Sequence, residues 1–233
     1  MIREQNLQVT SAPNMAYDAV LTAGNFKPIL FSTPMVQAIL RGEKTQTRRI
    51  INPQPIEDFE SGYVFDGKHR TAYKNDIMHE IWYDEFIKDW CKYKIGDILW
   101  VRETFQILPP NMVFYKADTE NKATGNWNPS IFMPKEACRI FLKLTNIRIE
   151  RLITISKDDC KAEGIEIINK EFKNAICYKD YIAKGNLSSD FFCNPRNSYQ
   201  TLWQKINGLK SWEENPFVWV YEFERTDASF ACS

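Results

Sequence analysis

The segment Gly42-Glu43-Lys44-Thr45-Gln46-Thr47-Arg48-Arg49 brings together an amine, two hydroxyls and two guanidinium groups. A hydroxyl close to a lysine suits nucleophilic catalysis, because a lysine that has lost its proton can deprotonate the hydroxyl. A free lysine is protonated at neutral pH, so this role needs a lowered pKa. Arg48 and Arg49 would lower it by like-charge repulsion, and partial burial would add to that. The same groups can instead hold a polar or anionic ligand. The planar fork of Arg49 suits a phosphate or a base carbonyl, and Arg48 suits a salt bridge. On a regular strand residues 44 and 47 point to opposite faces, so Lys44 and Thr47 cooperate only across a turn or a distorted backbone.

The elements that must position these groups follow from the pattern around them. Ile29 to Phe31 read as a short buried strand, with Thr33 as N-cap and Pro34 at the first helical position. Met35, Val36, Ile39 and Leu40 give the helix its apolar face, and Gly42 ends it. Strands are expected over Ile98 to Phe105, Met112 to Lys116, Arg139 to Ile149 and Phe217 to Phe223, with a loop over 118–135. In the third strand the apolar phase slips at Thr145-Asn146, which predicts a β-bulge and a bent strand. Ser156 to Asp159 start a short helix that ends at Glu163-Gly164. Asn197 to Ile206 form an amphipathic helix with Tyr199, Leu202, Trp203 and Ile206 inward.

Two stretches read as insertions. Residues 52–95 contain a hairpin turning at Asp66-Gly67 between Tyr63-Val64-Phe65 and Lys68 to Ala72, then a helix from about Met78 to Tyr93. Residues 165–195 read as mixed or irregular. The spacing of βαβ units is absent, so the expected fold is α+β, a small mixed β-barrel flanked by short helices. Residues 1–26 form an N-terminal extension, 27–225 one domain with the two insertions, and 226–233 a tail.

Composition limits the function classes. The 233 residues carry 30 Lys plus Arg and 30 Asp plus Glu, so no global attraction to nucleic acid or membrane follows, and an anion site must be local. Aromatics make up 14% and include seven Trp, which argues against disorder. Trp100, Trp127 and Trp219 can stack on a base or fill the core. No apolar run approaches a membrane span and no secretory leader is visible, so a soluble cytoplasmic protein is expected. The six cysteines have no C-x-x-C spacing and read as reduced thiols, and the two histidines, His69 and His79, have no ligand spacing. No metal or cofactor is expected.

The stretch Lys27 to Ile51, with Gly42-x-Lys44-Thr45-x-Thr47-x-Arg49, resembles the ASCH domain of the PUA-like superfamily of small β-barrels linked to RNA. Further blocks resemble its longer phage and prophage branch: Gly96 to Thr104, Pro129 to Pro134, Ala162 to Ile165, Leu202-Trp203 with Ile206-Asn207-Gly208, and Asn215 to Val220. Small bacterial members are amidohydrolases that remove the acetyl group of N4-acetylcytidine with a Lys, a Thr three residues later and a distant Glu. The resemblance assigns these roles to Lys44, Thr47 and Glu163, with Glu103 as the alternative carboxylate. Glu163 ends a helix, where the dipole is better suited to a cation.

Three readings follow. The first is an enzyme, an amidohydrolase whose pocket holds Lys44, Thr47 and Glu163, with Thr45, Arg49, Glu103, Trp100 and Ser130 binding the nucleoside. The second is a module that binds RNA or a modified base without chemistry, and the third is a ribonuclease. The compact amidohydrolases are about half as long as this chain, so either insertion can lid or block the pocket.

Overall fold

Segments rich in β-branched and aromatic residues become strands, and the two longest lie side by side. The computed structural model describes residues 25–58, 63–65, 70–72, 90–110, 112–118, 125–172, 175–183 and 191–226. The order begins with β1 (Phe26–Leu30), α1 (Thr33–Leu40), β2 (Gln46–Ile50), β3 (Ile56–Asp58), β4 (Tyr63–Phe65) and β5 (Arg70–Ala72). β6 (Ile98–Arg102), β7 (Phe105–Leu108), β8 (Met112–Tyr115) and β9 (Phe141–Arg151) come next. The chain continues through α2 (Lys157–Ala162), β10 (Ile167–Phe172), β11 (Ala175–Lys179), β12 (Phe191–Phe192), α3 (Pro195–Asn207) and β13 (Phe217–Thr226).

The main sheet has the order β1-β6-β9-β13-β2. Only β1 and β6 run parallel; every other pair is antiparallel. Both faces of β13 are buried, which explains its nearly unbroken apolar sequence. Phe217, Trp219, Tyr221 and Phe223 join Ile29, Val36, Leu99 and Leu142 in one core. Val218 and Val220 join Leu152, Cys160, Tyr199 and Trp203 in a second core. β13 therefore fixes what lies on each side of the sheet.

The phase slip in β9 is a bulge. Phe223 faces Leu144 while Glu222 faces Asn146, so Thr145 is the extra residue. It is exposed, and its neighbour Leu144 is fully buried. The sheet is also strongly curled. Arg49 on the edge strand β2 donates from Nη2 to Leu30 O on the opposite edge strand β1 at 2.6 Å. A flat sheet would hold those edges four strand spacings apart, ~19 Å, beyond the reach of any side chain. No ladder joins β1 to β2 among the described residues, so the expected closed barrel is instead an open, curled sheet bridged by a side chain.

Other expectations need correction. Ser32, not Thr33, is the N-cap of α1; it makes no side-chain capping bond, and Thr33 is already helical. The strand expected over Ile98 to Phe105 breaks at Glu103-Thr104, and Phe105 starts β7, which pairs with β8. Glu103 is buried there, and its N–H faces Met133 Sδ at 3.2 Å. Residues 165–195 are more regular than expected, since β10, β11 and β12 form an antiparallel sheet. That sheet rotates α3. Ser198 Oγ donates to Lys179 O at 2.6 Å and Thr201 Oγ1 accepts from Tyr181 N at 3.1 Å, so two small polar residues turn inward with Tyr199 and Trp203. Ile206, expected inward, is 53% exposed. The hairpin expected around Asp66-Gly67 is present as β4 and β5, with Tyr63 opposite Ala72 and Phe65 opposite Arg70.

The extension up to residue 24, the turn residues 66–69, both histidines, most of the helix expected over 78–93 and the tail beyond 226 lie outside the described residues. Among those described, no helix is long and apolar enough to cross a membrane.

Leu144 and Thr145 provide a direct check of the bulge. Leu144→Ala should lower stability by about 3 kcal/mol, as expected for a buried Leu. Thr145→Ala should change it by less than ~0.5 kcal/mol. Urea unfolding reads both, and equal losses would contradict the bulge.

Candidate functional site

Local backbone geometry brings the 42–49 segment against the end of α2. Lys44 and Glu163 form an isolated antiparallel bridge ahead of β2. Lys44 N donates to Ala38 O at 3.2 Å, Thr45 N to Ala162 O at 2.9 Å, and Thr45 O accepts from Phe223 N at 2.9 Å. The backbone at 44–45 thus switches partners instead of continuing as strand. Gly164 makes the approach possible. Its φ is +78°, and a Cβ there would lie 2.8 Å from Lys44 Cβ and 2.9 Å from Ala38 Cβ.

The bridge places two cations on one carboxylate. Lys44 Nζ donates to Glu163 Oε2 at 2.9 Å and to Glu163 O at 2.8 Å. Arg48 donates from Nη1 to Glu163 Oε1 at 3.2 Å and from Nη2 to Glu150 Oε2 at 2.7 Å. The Lys44 and Arg48 side chains are fully buried, and Glu163 is 4% exposed. These partners answer the unfavourable dipole at the end of α2.

Burial is the main cause that pushes the Lys44 pKa below its ordinary value. Glu163 opposes the shift, and Arg49 and Arg48 add to it. The expected order, repulsion first and burial second, is therefore reversed. Nζ donates both of its hydrogen bonds to Glu163. Burial also works against the Arg48 cation, but Glu163, Tyr199 and Glu150 more than offset it, and its pKa is raised. Burial likewise opposes the Asp159 carboxylate; the Ser156 hydroxyl, Arg48 and Arg148 outweigh it and lower its pKa.

A half-open cleft of about 120 Å³ runs beside this cluster, lined by Thr47, Arg48, Arg49, Ile50 and Glu163 on one side. Met35, Tyr199, Leu202, Trp203, Ile206 and Asn207 line the rest. Lys44 is not at its surface; it sits behind Glu163. The Thr47 hydroxyl makes no hydrogen bond among the described residues. Two buried donors, Arg48 Nε and Trp203 Nε1, also lack a partner, and both residues line this one cleft. An unmet buried donor costs about 1–3 kcal/mol.

Compared with protein-family models, characterised proteins and solved structures, the chain matches none. The resemblance to the ASCH family rests on the motif residues themselves.

Lys44 meets Glu163, and Thr47, Arg49 and Glu163 line one cleft; the other expected site residues lie elsewhere. Arg49 lines the cleft, yet one of its nitrogens is spent on Leu30 O and its guanidinium lies 5.5 Å from the Phe31 ring centre. Thr45 is exposed and outside the cleft lining. Glu103 belongs to a separate cluster, where Arg139 grips it through Nε at 2.9 Å and Nη2 at 3.0 Å and also bonds Asp118. Burial raises the Glu103 pKa against the pull of Arg139. Trp100 lies under the Arg102 guanidinium, 5.3 Å from ring centre to Cζ, and Arg102 donates to Ile131 O beside Ser130. Trp219 is core. Among the described residues no group of three His, Cys, Asp or Glu side chains is arranged to hold a metal.

Sequence reasoning missed Tyr199, Trp203 and Asn207 as lining residues and undervalued Arg48. No signal in the sequence marked them, because helical period places Ile206 inward and its exposure at the rim follows only from the fold. Two substitutions test the geometry. Gly164→Ala should lower stability by about 2 kcal/mol, through the clash with Lys44 and the positive φ, in urea unfolding. Glu163→Gln removes the largest influence that raises the Lys44 pKa. Below the lowered folded pKa the amine is protonated in both states and the burial penalty is complete; as pH rises from there towards 10.5 the folded state recovers. The variant should lose about 3 kcal/mol near neutrality and regain stability at alkaline pH, and a deficit independent of pH would point away from Lys44.

Proposed function

We propose that the chain is an ASCH protein of the PUA-like class whose cleft receives a nucleoside or flipped-out base and hydrolyses an N4-acylated cytidine. The curled sheet fits an opened form of such a barrel. The observation that carries the reading is a fully buried lysine with a lowered pKa, hydrogen-bonded to a carboxylate that shares a cleft with an unengaged threonine hydroxyl. In this scheme neutral Lys44 takes the Thr47 proton as Thr47 Oγ1 bonds to the acyl carbon. The C–N bond then breaks, and the proton passes by way of Glu163 to the leaving amine. Water attacks the acyl-threonine and restores the hydroxyl, releasing the carboxylic acid. Arg48 Nε and Trp203 Nε1 supply the unmet donors for the acyl oxygen. The apolar wall of Met35, Leu202 and Ile206 suits an uncharged base.

A second reading, a module that binds a modified base without chemistry, draws support from Lys44 itself. Its donors are both given to Glu163, and its head group does not line the cleft.

Incubation with N4-acetylcytidine separates the two. The enzyme reading expects cytidine and acetate, with Thr47→Ala and Lys44→Ala slower by about 10² or more. Trp203→Phe should lower kcat by about 10² and leave KM little changed. The rate should rise with pH through the lowered Lys44 pKa, because the base must be neutral. Tight binding without turnover would leave the module.

A further inference from the structure

The sheet formed by β10, β11 and β12 brings two cysteines face to face that lie far apart in sequence. In the antiparallel pair of β11 and β12, Tyr178 faces Phe192 and Lys179 faces Phe191. Extended one step past the end of β12, this register sets Cys177 opposite Cys193. The hydrogen-bond phase can be read from Lys179, whose N–H donates to Glu166 O and so turns towards β10. Tyr178 then turns its main chain to β12, and Cys177 with Cys193 occupies a non-hydrogen-bonded position. At such positions Cα atoms lie about 4.5 Å apart, inside the ~4.4–6.8 Å that a disulfide spans. Burial, and then the facing Cys193 thiol, raise the Cys177 pKa above its ordinary value, so the two sulfurs sense each other directly. Both are free thiols here, Cys177 buried and Cys193 exposed.

We propose that Cys177 and Cys193 form a reversible disulfide by exchange with a low-molecular-weight disulfide. The exposed Cys193 thiolate attacks one sulfur of the small disulfide, forms a mixed disulfide and expels the other half as thiolate. Cys177 then attacks Cys193 Sγ, the Cys193–small-molecule bond breaks, and the second half leaves as thiol. The small disulfide gains two electrons and the two protons that the cysteines lose. Cys193 sits two residues ahead of Pro195, the first residue of α3. The crosslink therefore ties the insertion sheet to the helix that carries Tyr199, Leu202 and Trp203 into the cleft. This inference does not depend on the proposed hydrolysis.

The test uses the full reduced chain and oxidised glutathione, with residual thiols alkylated before digestion and mass spectrometry without reductant. A linked Cys177–Cys193 peptide, lighter than the separate peptides by two hydrogens, is the expected product. Cys177→Ser should trap glutathione on Cys193, and Cys193→Ser should leave Cys177 alkylatable only after unfolding. Hydrogen exchange in β12 and the first turn of α3 should slow on oxidation and recover with dithiothreitol. Glutathione held stably on Cys193 of the unsubstituted chain, or Cys193 linked to any other cysteine, would overturn the proposal. So would full alkylation of both thiols after oxidation.

Discussion

The burial of Lys44 against Glu163 is the constraint around which the site is arranged. A lysine amine with no access to water is costly, and it is tolerated only because Glu163 supplies both a carboxylate oxygen and a backbone carbonyl. Each of those acceptors has its own requirement. The carboxylate must be held in place, which Arg48 does from β2. The carbonyl must approach a side chain that leaves the 44–45 backbone, which needs a residue without Cβ at Gly164. The charged ring continues outward: Arg48 reaches Glu150 and Asp159, and Arg148 reaches Glu150, Asp159 and Glu222. Four elements, β2, β9, β13 and α2, are thereby locked to one another by pairs in which removing one member strands another.

The same arrangement sets the chemistry of the cleft walls. Its polar side offers one carboxylate, one unengaged hydroxyl and donors without partners, while its other side is largely apolar. Arg48 is neutralised by three carboxylates, and Arg49 is anchored to the far edge of the sheet, so neither is a loose cation of the kind that grips a phosphate chain. The balanced charge of the whole chain agrees with this local accounting. These walls are what support the proposed reading of a neutral, carbonyl-bearing ligand.

Parts of this were legible in the residues. The slip from Ile140, Leu142 and Leu144 to Ile147 and Ile149 predicted the bulge at Thr145, because strand period leaves no other way to keep both sets inward. The hairpin of β4 and β5 was legible from the Asp66-Gly67 pair in the sequence between Tyr63-Val64-Phe65 and Lys68 to Ala72. Other parts were hidden. The break of the strand at Glu103 depends on Arg139 and Met133, which are distant in sequence. The sheet in 165–195 was masked by a composition rich in Lys, Asn and Tyr. The inward face of α3 was misjudged for the same reason: Ser198 and Thr201 are buried by partners on β11 and just after it, which periodicity does not reveal.

The sequence by itself determined the local features: where α1 stops, where β9 bulges, that Phe217 to Phe223 form a strand, and that the Gly42 to Arg49 segment holds groups able to do chemistry. These depend on periodicity, capping and turn propensity, which act over a few residues. Tertiary structure alone decided which groups meet. Lys44 and Glu163 are 119 residues apart, and only the end of α2 brings them within 2.9 Å. It likewise turned Glu103 to a different partner and brought Trp203 to the same cleft as Thr47. Burial, the cause that lowers the Lys44 pKa, is a property of everything packed around the side chain, and no local stretch of sequence contains it.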